Sequence, residues 1–153
     1  MNSEEIRGII SLFSVNSEFR GVYPSDKLPL NLSDGNHFFV VNLDNSTSSG
    51  SHWVGLFIYG TIAEYFDPLA LNFTNKNIIF FLKHQNIKYC DFNTKRIQSY
   101  SSNSCGRFVI LYLLCKIKKN FSITDFMSLF DGDNVTENEL YIKSVFKFIS
   151  RQR

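Results

Sequence analysis

Four residues of this chain have the types and spacing for nucleophilic attack on a carbonyl: His52, Asp67, Gln98 and Cys105. Cys105 opens an apolar block, Cys105-Gly106-Arg107-Phe108-Val109-Ile110-Leu111-Tyr112-Leu113-Leu114, directly after a polar loop that begins at Gln98. A helix starting there sets Cys105 in its first turn. Free backbone N–H groups and the positive end of the helix dipole then face the sulfur. Such a site favours thiolate near neutral pH. Gln98, seven residues upstream, can offer a side-chain N–H beside the sulfur, which is half of an oxyanion hole. By itself the stretch also suits a buried structural cysteine capping a core helix.

A thiol nucleophile needs a histidine to hold its proton and a group to orient that histidine. Three histidines are present. His37 opens a strand and has no acidic neighbour in sequence, and His84 sits at a polar helix end. His52 precedes Trp53 after a flexible loop and begins a strand. The following strand ends at Asp67-Pro68. A hairpin folded at Tyr59-Gly60 brings its two open ends side by side, which puts His52 close to Asp67. Taken singly, His52 suits a strand edge stacked on Trp53, and Asp67 suits an ordinary Asp-Pro turn. Together with Gln98 and Cys105 they make a catalytic set.

The elements that must position these residues follow from pattern. Asn2 and Glu5 form a capping box before Ile6, Ile9, Ile10 and Phe13, so a short amphipathic helix opens the chain. Phe19 to Pro29, with one glycine and two prolines, predicts an ordered irregular loop. His37 to Leu43, His52 to Ile58 and Thr61 to Phe66 predict strands. Asn75 to His84 predicts a helix, and Ile87 to Phe92 and Arg96 to Tyr100 two more strands. The Cys105 helix should end among Lys116, Lys118 and Lys119, where cations suit the dipole. Ser122 to Phe130 predicts a short helix and Asp131-Gly132-Asp133 a turn. Thr136 and Glu139 read as a second capping box for a helix that runs to about Ser150. The order α, β-meander, α, β, α predicts an α/β or α+β layered fold: one central mixed sheet flanked by helices.

Composition narrows the function classes. A chain of 153 residues with 44% hydrophobic content suits one domain over 1–153 with a real core. A net charge of +2 is too small to argue for nucleic acid by itself. Lys143, Lys147 and Arg151 do form a basic stripe at helical spacing, which reads first as a solvated face. Cys90, Cys105 and Cys115 show no CxxC spacing, which favours a reducing compartment over a disulfide framework or zinc site. No metal and no cofactor is expected. The N-terminus is acidic where a secretion signal is basic. The longest apolar run, Phe108 to Cys115, is too short to span a bilayer. The expectation is a chain that is neither secreted nor membrane-bound.

The order His52-Trp53, Tyr65-Phe66-Asp67-Pro68, Gln98, Ser104-Cys105-Gly106 resembles the adenain-type cysteine proteases, the maturation proteases of adenoviruses. More distantly it resembles the proteases that release ubiquitin-like modifiers. Papain itself carries Cys before His, so chain order separates the two groups. The likeness runs from about Gly21 to Tyr112. The Gly21 to Pro29 loop is similar to a segment carried by such proteases from DNA viruses, virophages and Polinton-type elements.

The resemblance implies a papain-like or adenain-like domain with Cys105 as nucleophile and His52 as general base and later acid. It implies Asp67 as the orienting group, and the Gln98 side chain with the Cys105 N–H as oxyanion hole. Trp53 beside the imidazole and Gly106 after the nucleophile would be substrate-binding positions. Many adenain-type enzymes carry Glu where this chain has Asp67, so the shorter side chain requires a closer approach. The implied function is peptide hydrolysis through an acyl-thioester, with viral capsid or core precursors as substrates. The implied location is the host cytoplasm, nucleus or viral factory, and the virion. An activating peptide attached at Cys90 and a DNA partner are further implications. The alternatives are a deconjugase of ubiquitin-like modifiers and an inactive protease fold used as a binding module.

Overall fold

The computed structural model describes residues 1–15 and 18–151. All six residues of the strand His37–Asn42 (β2) are buried. Phe38 and Val40 enter one core and Phe39 and Val41 the other, as the two-residue strand period requires. A strand covered on both faces reads as an unbroken hydrophobic run. Trp53–Tyr59 (β3) pairs antiparallel with β2, and Ile62–Phe66 (β4) pairs antiparallel with β3. Tyr89–Phe92 (β5) lies parallel to β4 at one edge. Phe19–Pro24 (β1) lies parallel to β2 at the other. The sheet is therefore mixed, in the order β1-β2-β3-β4-β5.

Helices cover both faces. Lys76–His84 (α2) buries Ile78, Phe81 and Leu82 against Phe39, Leu56 and Ile58. On the other face lies Cys105–Lys119 (α3), joined by Ser3–Ile10 (α1), Ile123–Met127 (α4) and Val135–Ser150 (α5). The approach of α3 to the sheet is set at Gly55. A Cβ there would lie 3.2 Å from both Tyr112 Cδ1 and Phe38 Cζ. With no side chain on Gly55, Tyr112 lies against β3 and α3 is held close to the strand that follows His52. Asn120, in the left-handed region, ends α3 and donates its N–H to the Cys115 carbonyl.

The expected α/β layering holds, and so does the Asn2–Glu5 capping box, with both reciprocal hydrogen bonds made at 2.8 and 2.9 Å. Six local expectations are corrected. Phe19 to Pro24 is a strand, not a loop: a register shift between Phe19 and Gly21 and a proline at its end hide the strand pattern. As an edge strand, β1 can carry both. The hairpin turns at Gly60-Thr61, with Tyr59 paired to Ile62 and Gly60 at φ 58°. The strand expected over Ile87 to Phe92 and the helix expected over Ser122 to Phe130 are both shorter, at Tyr89–Phe92 and Ile123–Met127. Arg96 to Tyr100 forms no strand. Finally, α5 is capped by Asn134, whose side chain accepts from the Glu137 N–H. Thr136 is not the cap, and Glu139 turns inward.

Candidate active site

Three of the four expected residues meet where the β3–β4 hairpin opens. His52 stands just before β3, with its carbonyl accepting the Leu43 N–H at 3.0 Å. Asp67 follows β4 directly and is 1% exposed. His52 Nε2 donates to Asp67 Oδ1 at 2.6 Å. With Nε2 engaged, the ring turns its other nitrogen to Cys105, which is within hydrogen-bond reach of His52. Cys105 is the first residue of α3, as expected.

Asp67 is held from several sides. Its Oδ1 also accepts the Leu69 N–H at 2.8 Å, and Oδ2 accepts the Leu71 N–H at 3.1 Å. The chain therefore curls around the carboxylate as it leaves β4. Asn93, just past β5, grips the Asp67 backbone twice: its Oδ1 accepts the Asp67 N–H and its Nδ2 donates to the Asp67 carbonyl. Sequence reasoning missed Asn93, because one asparagine in an Asn-rich chain carries no distinguishing signal.

The end of β4 also frees a donor for the sulfur. The last β3–β4 pair is Gly55 with Phe66, so a continued ladder would set Pro68 opposite Trp53. The Pro68 carbonyl instead accepts the N–H groups of Ile97 and Gln98 at 3.0 and 3.1 Å. That leaves the Trp53 N–H without a partner on β4, and it and the Gly106 N–H favour the Cys105 thiolate.

These contacts set the charge state. Burial works against the His52 imidazolium. Hydrogen bonds with Asp67 and Cys105, and the charge on both, outweigh it and carry His52 from 6.5 up to about 9. Burial likewise pushes the Cys105 thiol up. The hydrogen bond with His52, the Trp53 and Gly106 N–H groups and the imidazolium charge pull it below its ordinary value. Both effects favour a thiolate–imidazolium pair. The other two thiols move the opposite way: burial raises Cys115, and raises Cys90 to about 11.

Gln98 is buried at the start of the loop that leads into α3. Its Nε2 donates to the Ser102 carbonyl at 3.0 Å. Only an N–H can meet a carbonyl, so this contact fixes which way the amide points. One Nε2 hydrogen is used there and the second remains. Gln98 Oε1 is buried without a partner.

Trp53 donates its indole N–H to the Met1 carbonyl at 2.9 Å and lines a groove of about 620 Å³ with Met1, Tyr23, Asn42 and Gly50. Gly106 is buried beneath Met1: a Cβ there would lie 3.0 Å from the Met1 sulfur. Among the described residues no three His, Cys, Asp or Glu side chains gather to hold a metal. No described helix is long and apolar enough to cross a membrane.

Helices on both faces of a mixed sheet, with a cysteine heading the helix packed on it, define a papain-like cysteine-protease fold. Among solved structures the chain is similar to the ASFV pS273R protease, a viral cysteine protease, at 27% identity and a TM-score of 0.50. That likeness covers 65% of this chain and 40% of the ASFV protein, so the chain spans about two fifths of that protein's length. The central domain of the uncharacterized Lpg1148 protein from Legionella pneumophila matches along nearly the whole chain, with a TM-score of 0.57 over 99% of this chain and 98% of that one. Its 13% identity speaks to fold alone. No protein-family model and no curated protein sequence matches.

Proposed function

We propose that this chain is a cysteine endopeptidase. The observation that carries the reading is His52 within hydrogen-bond reach of both Asp67 and Cys105, in a setting that lowers the thiol and raises the imidazole. The Cys105 thiolate adds to the peptide carbonyl carbon. The developing oxyanion takes hydrogen bonds from the Cys105 N–H and the second Nε2 hydrogen of Gln98. The His52 imidazolium gives its proton to the amide nitrogen, the C–N bond breaks, and the amine leaves an acyl-thioester behind. Water then gives a proton to neutral His52, attacks the thioester carbonyl, and releases the acid and the thiolate. Asp67 keeps the imidazole turned to the sulfur.

The finer reading is an adenain-type processing protease of viral capsid or core precursors. It rests on the His52, Asp67, Gln98, Cys105 order and is supported by the likeness to the ASFV protease. An activating peptide linked through Cys90 would first have to expose that thiol, which donates to the Asp91 carbonyl and is half-buried. For an anionic partner such as DNA, Lys143 and Lys147 line one groove with Arg107.

The test is terminal profiling. The purified protein and its Cys105→Ala variant are incubated with a peptide library, and new N-termini are read by mass spectrometry. New termini that require Cys105 support the reading. Termini that are absent, or equally abundant with Cys105→Ala, refute it.

A further inference from the structure

We propose that Glu139, assisted by Asn138, is a positioning residue for Gln98, which makes α5 part of the oxyanion-hole support. The inference rests on the peptidase reading above.

Gln98 lies in a segment with no strand partner, yet each of the four backbone polar groups around its side chain is taken. Its own N–H goes to the Pro68 carbonyl, at the turn after Asp67. Its carbonyl accepts from Arg96 Nη1 at 2.9 Å. The preceding carbonyl, that of Ile97, accepts from Asn138 Nδ2 at 3.3 Å. The following N–H, that of Ser99, donates to Glu139 Oε1 at 3.1 Å. Two consecutive residues near the start of α5 therefore hold the peptide groups on either side of the glutamine.

Glu139 is not needed where it sits for the helix itself. Asn134 already caps α5, and Ile142 and Phe146 supply its apolar contact. A carboxyl group only 7% exposed is a costly tenant unless its hydrogen bonds return something. Its Oε1 holds Ser99, while its Oε2 is buried without a partner. Two other buried side-chain atoms among the described residues also lack a partner: Gln98 Oε1 and Ser104 Oγ. Both lie in the loop between Gln98 and the nucleophile. Ser99, Ser104 and Glu139 line one cleft beside that loop. All three of these side-chain atoms belong to Gln98, to the loop that follows it, or to the Glu139 that holds Ser99. An amide donor displaced by about 1 Å is enough to lower a rate on the order of a hundredfold.

Asn138 has a second task, since it also bonds Asp131 in both directions. Glu139 is the cleaner target. The test uses the best peptide found by terminal profiling and a peptide aldehyde built on the sequence before its cleaved bond. The aldehyde adds to the thiol and leaves an oxygen in the oxyanion hole. Chloroacetamide alkylates Cys105 without forming an oxyanion.

Glu139→Ala should lower kcat about tenfold to a hundredfold with KM within roughly twofold. Aldehyde affinity should fall in parallel, and the alkylation rate should stay unchanged. Glu139→Gln, whose amide oxygen still accepts the Ser99 N–H, should recover most of the loss. On a Gln98→Ala background the added loss should shrink to within about twofold. If Glu139→Ala does not fold, Glu139→Met fills the space, removes the acceptor and carries the same expectations. The proposal is overturned if the loss is equally large with and without Gln98, or if alkylation slows as much as hydrolysis. Either result with an active wild-type enzyme leaves the peptidase reading standing. That reading fails separately, on loss of Cys105-dependent cleavage.

Discussion

Asp67→Asn keeps the shape of the side chain and removes its charge, so it isolates what the carboxylate does. Three donors converge on that group: His52 Nε2 and the Leu69 N–H on Oδ1, and the Leu71 N–H on Oδ2. An asparagine has one acceptor oxygen. If the oxygen faces His52, its NH2 meets the Leu71 N–H. If the amide reverses, it presents a donor to His52 and favours the wrong tautomer. The rise of His52 from 6.5 to about 9 is a net preference for the imidazolium, worth roughly 3 kcal/mol at about 1.4 kcal/mol per tenfold. Much of it comes from Asp67, and burial opposes it. Without the carboxylate, His52 should fall back to or below the ordinary imidazole range, and Cys105 should lose the cation that holds it as thiolate. The assay is the rate of iodoacetamide alkylation at Cys105, read by mass spectrometry from pH 4 to 10, beside the pH profile of peptide hydrolysis. Wild type should alkylate on a plateau that begins below the usual thiol range, and hydrolysis should fall on an alkaline limb near pH 9. In Asp67→Asn the plateau should vanish and the alkaline limb should move to lower pH. Turnover should drop about a hundredfold to ten-thousandfold. An unchanged plateau together with an unchanged limb would refute the assignment of Asp67.

Gln98→Ala should lower kcat about a hundredfold to a thousandfold and leave Cys105 alkylation unchanged, because the donor serves the oxyanion and not the thiolate. Brief alkylation at pH 6 should label Cys105 alone in intact-mass and peptide mapping, since burial holds Cys90 and Cys115 as thiols. Away from the site, Glu64 is a buried hub that pairs with Lys116 and accepts from Tyr112 Oη at 3.2 Å and the Ile123 N–H at 2.7 Å. Glu64→Ala should destabilise the fold by about 3–5 kcal/mol in urea unfolding, chiefly by leaving the Lys116 charge buried and unpaired. A loss under about 1 kcal/mol would mean that Lys116 escapes to solvent.

Where side-chain type and period agree, the sequence was a good guide to the fold. The β2 run, the apolar face of α2 and the polar loop before Cys105 each combine a pattern with a boundary. The signal failed where tertiary partners replace local ones. Arg96 to Tyr100 has strand-like residues, but its backbone is satisfied by Pro68, Asn138 and Glu139 instead of a ladder. Thr136 and Glu139 have capping-box spacing, yet Asn134 starts the helix two residues earlier and leaves Glu139 free to reach Ser99. Phe19 to Pro24 is extended only because β2 offers it an edge, which no local window contains. Neither Asn93 nor Glu139 has any neighbour in sequence that marks it as support for the site.

The hairpin predicts the meeting of His52 and Asp67, but simple pairing is only half of the reason. Continued past Gly55–Phe66, the register would set Asp67 opposite Val54 and Leu69 opposite His52. The carboxylate reaches the imidazole because β4 ends and the chain curls, with the Leu69 and Leu71 N–H groups folded back onto it. The same ending turns the Pro68 carbonyl toward Gln98 and leaves the Trp53 N–H for the sulfur. A proline that cannot donate to a ladder, placed one residue after the acid, thus serves three members of the site. It stops the strand so that the acid can turn, anchors the segment that carries the amide, and frees a donor for the thiolate. Interrupting the sheet at Asp67-Pro68 is therefore the structural event from which the charge state of Cys105 follows.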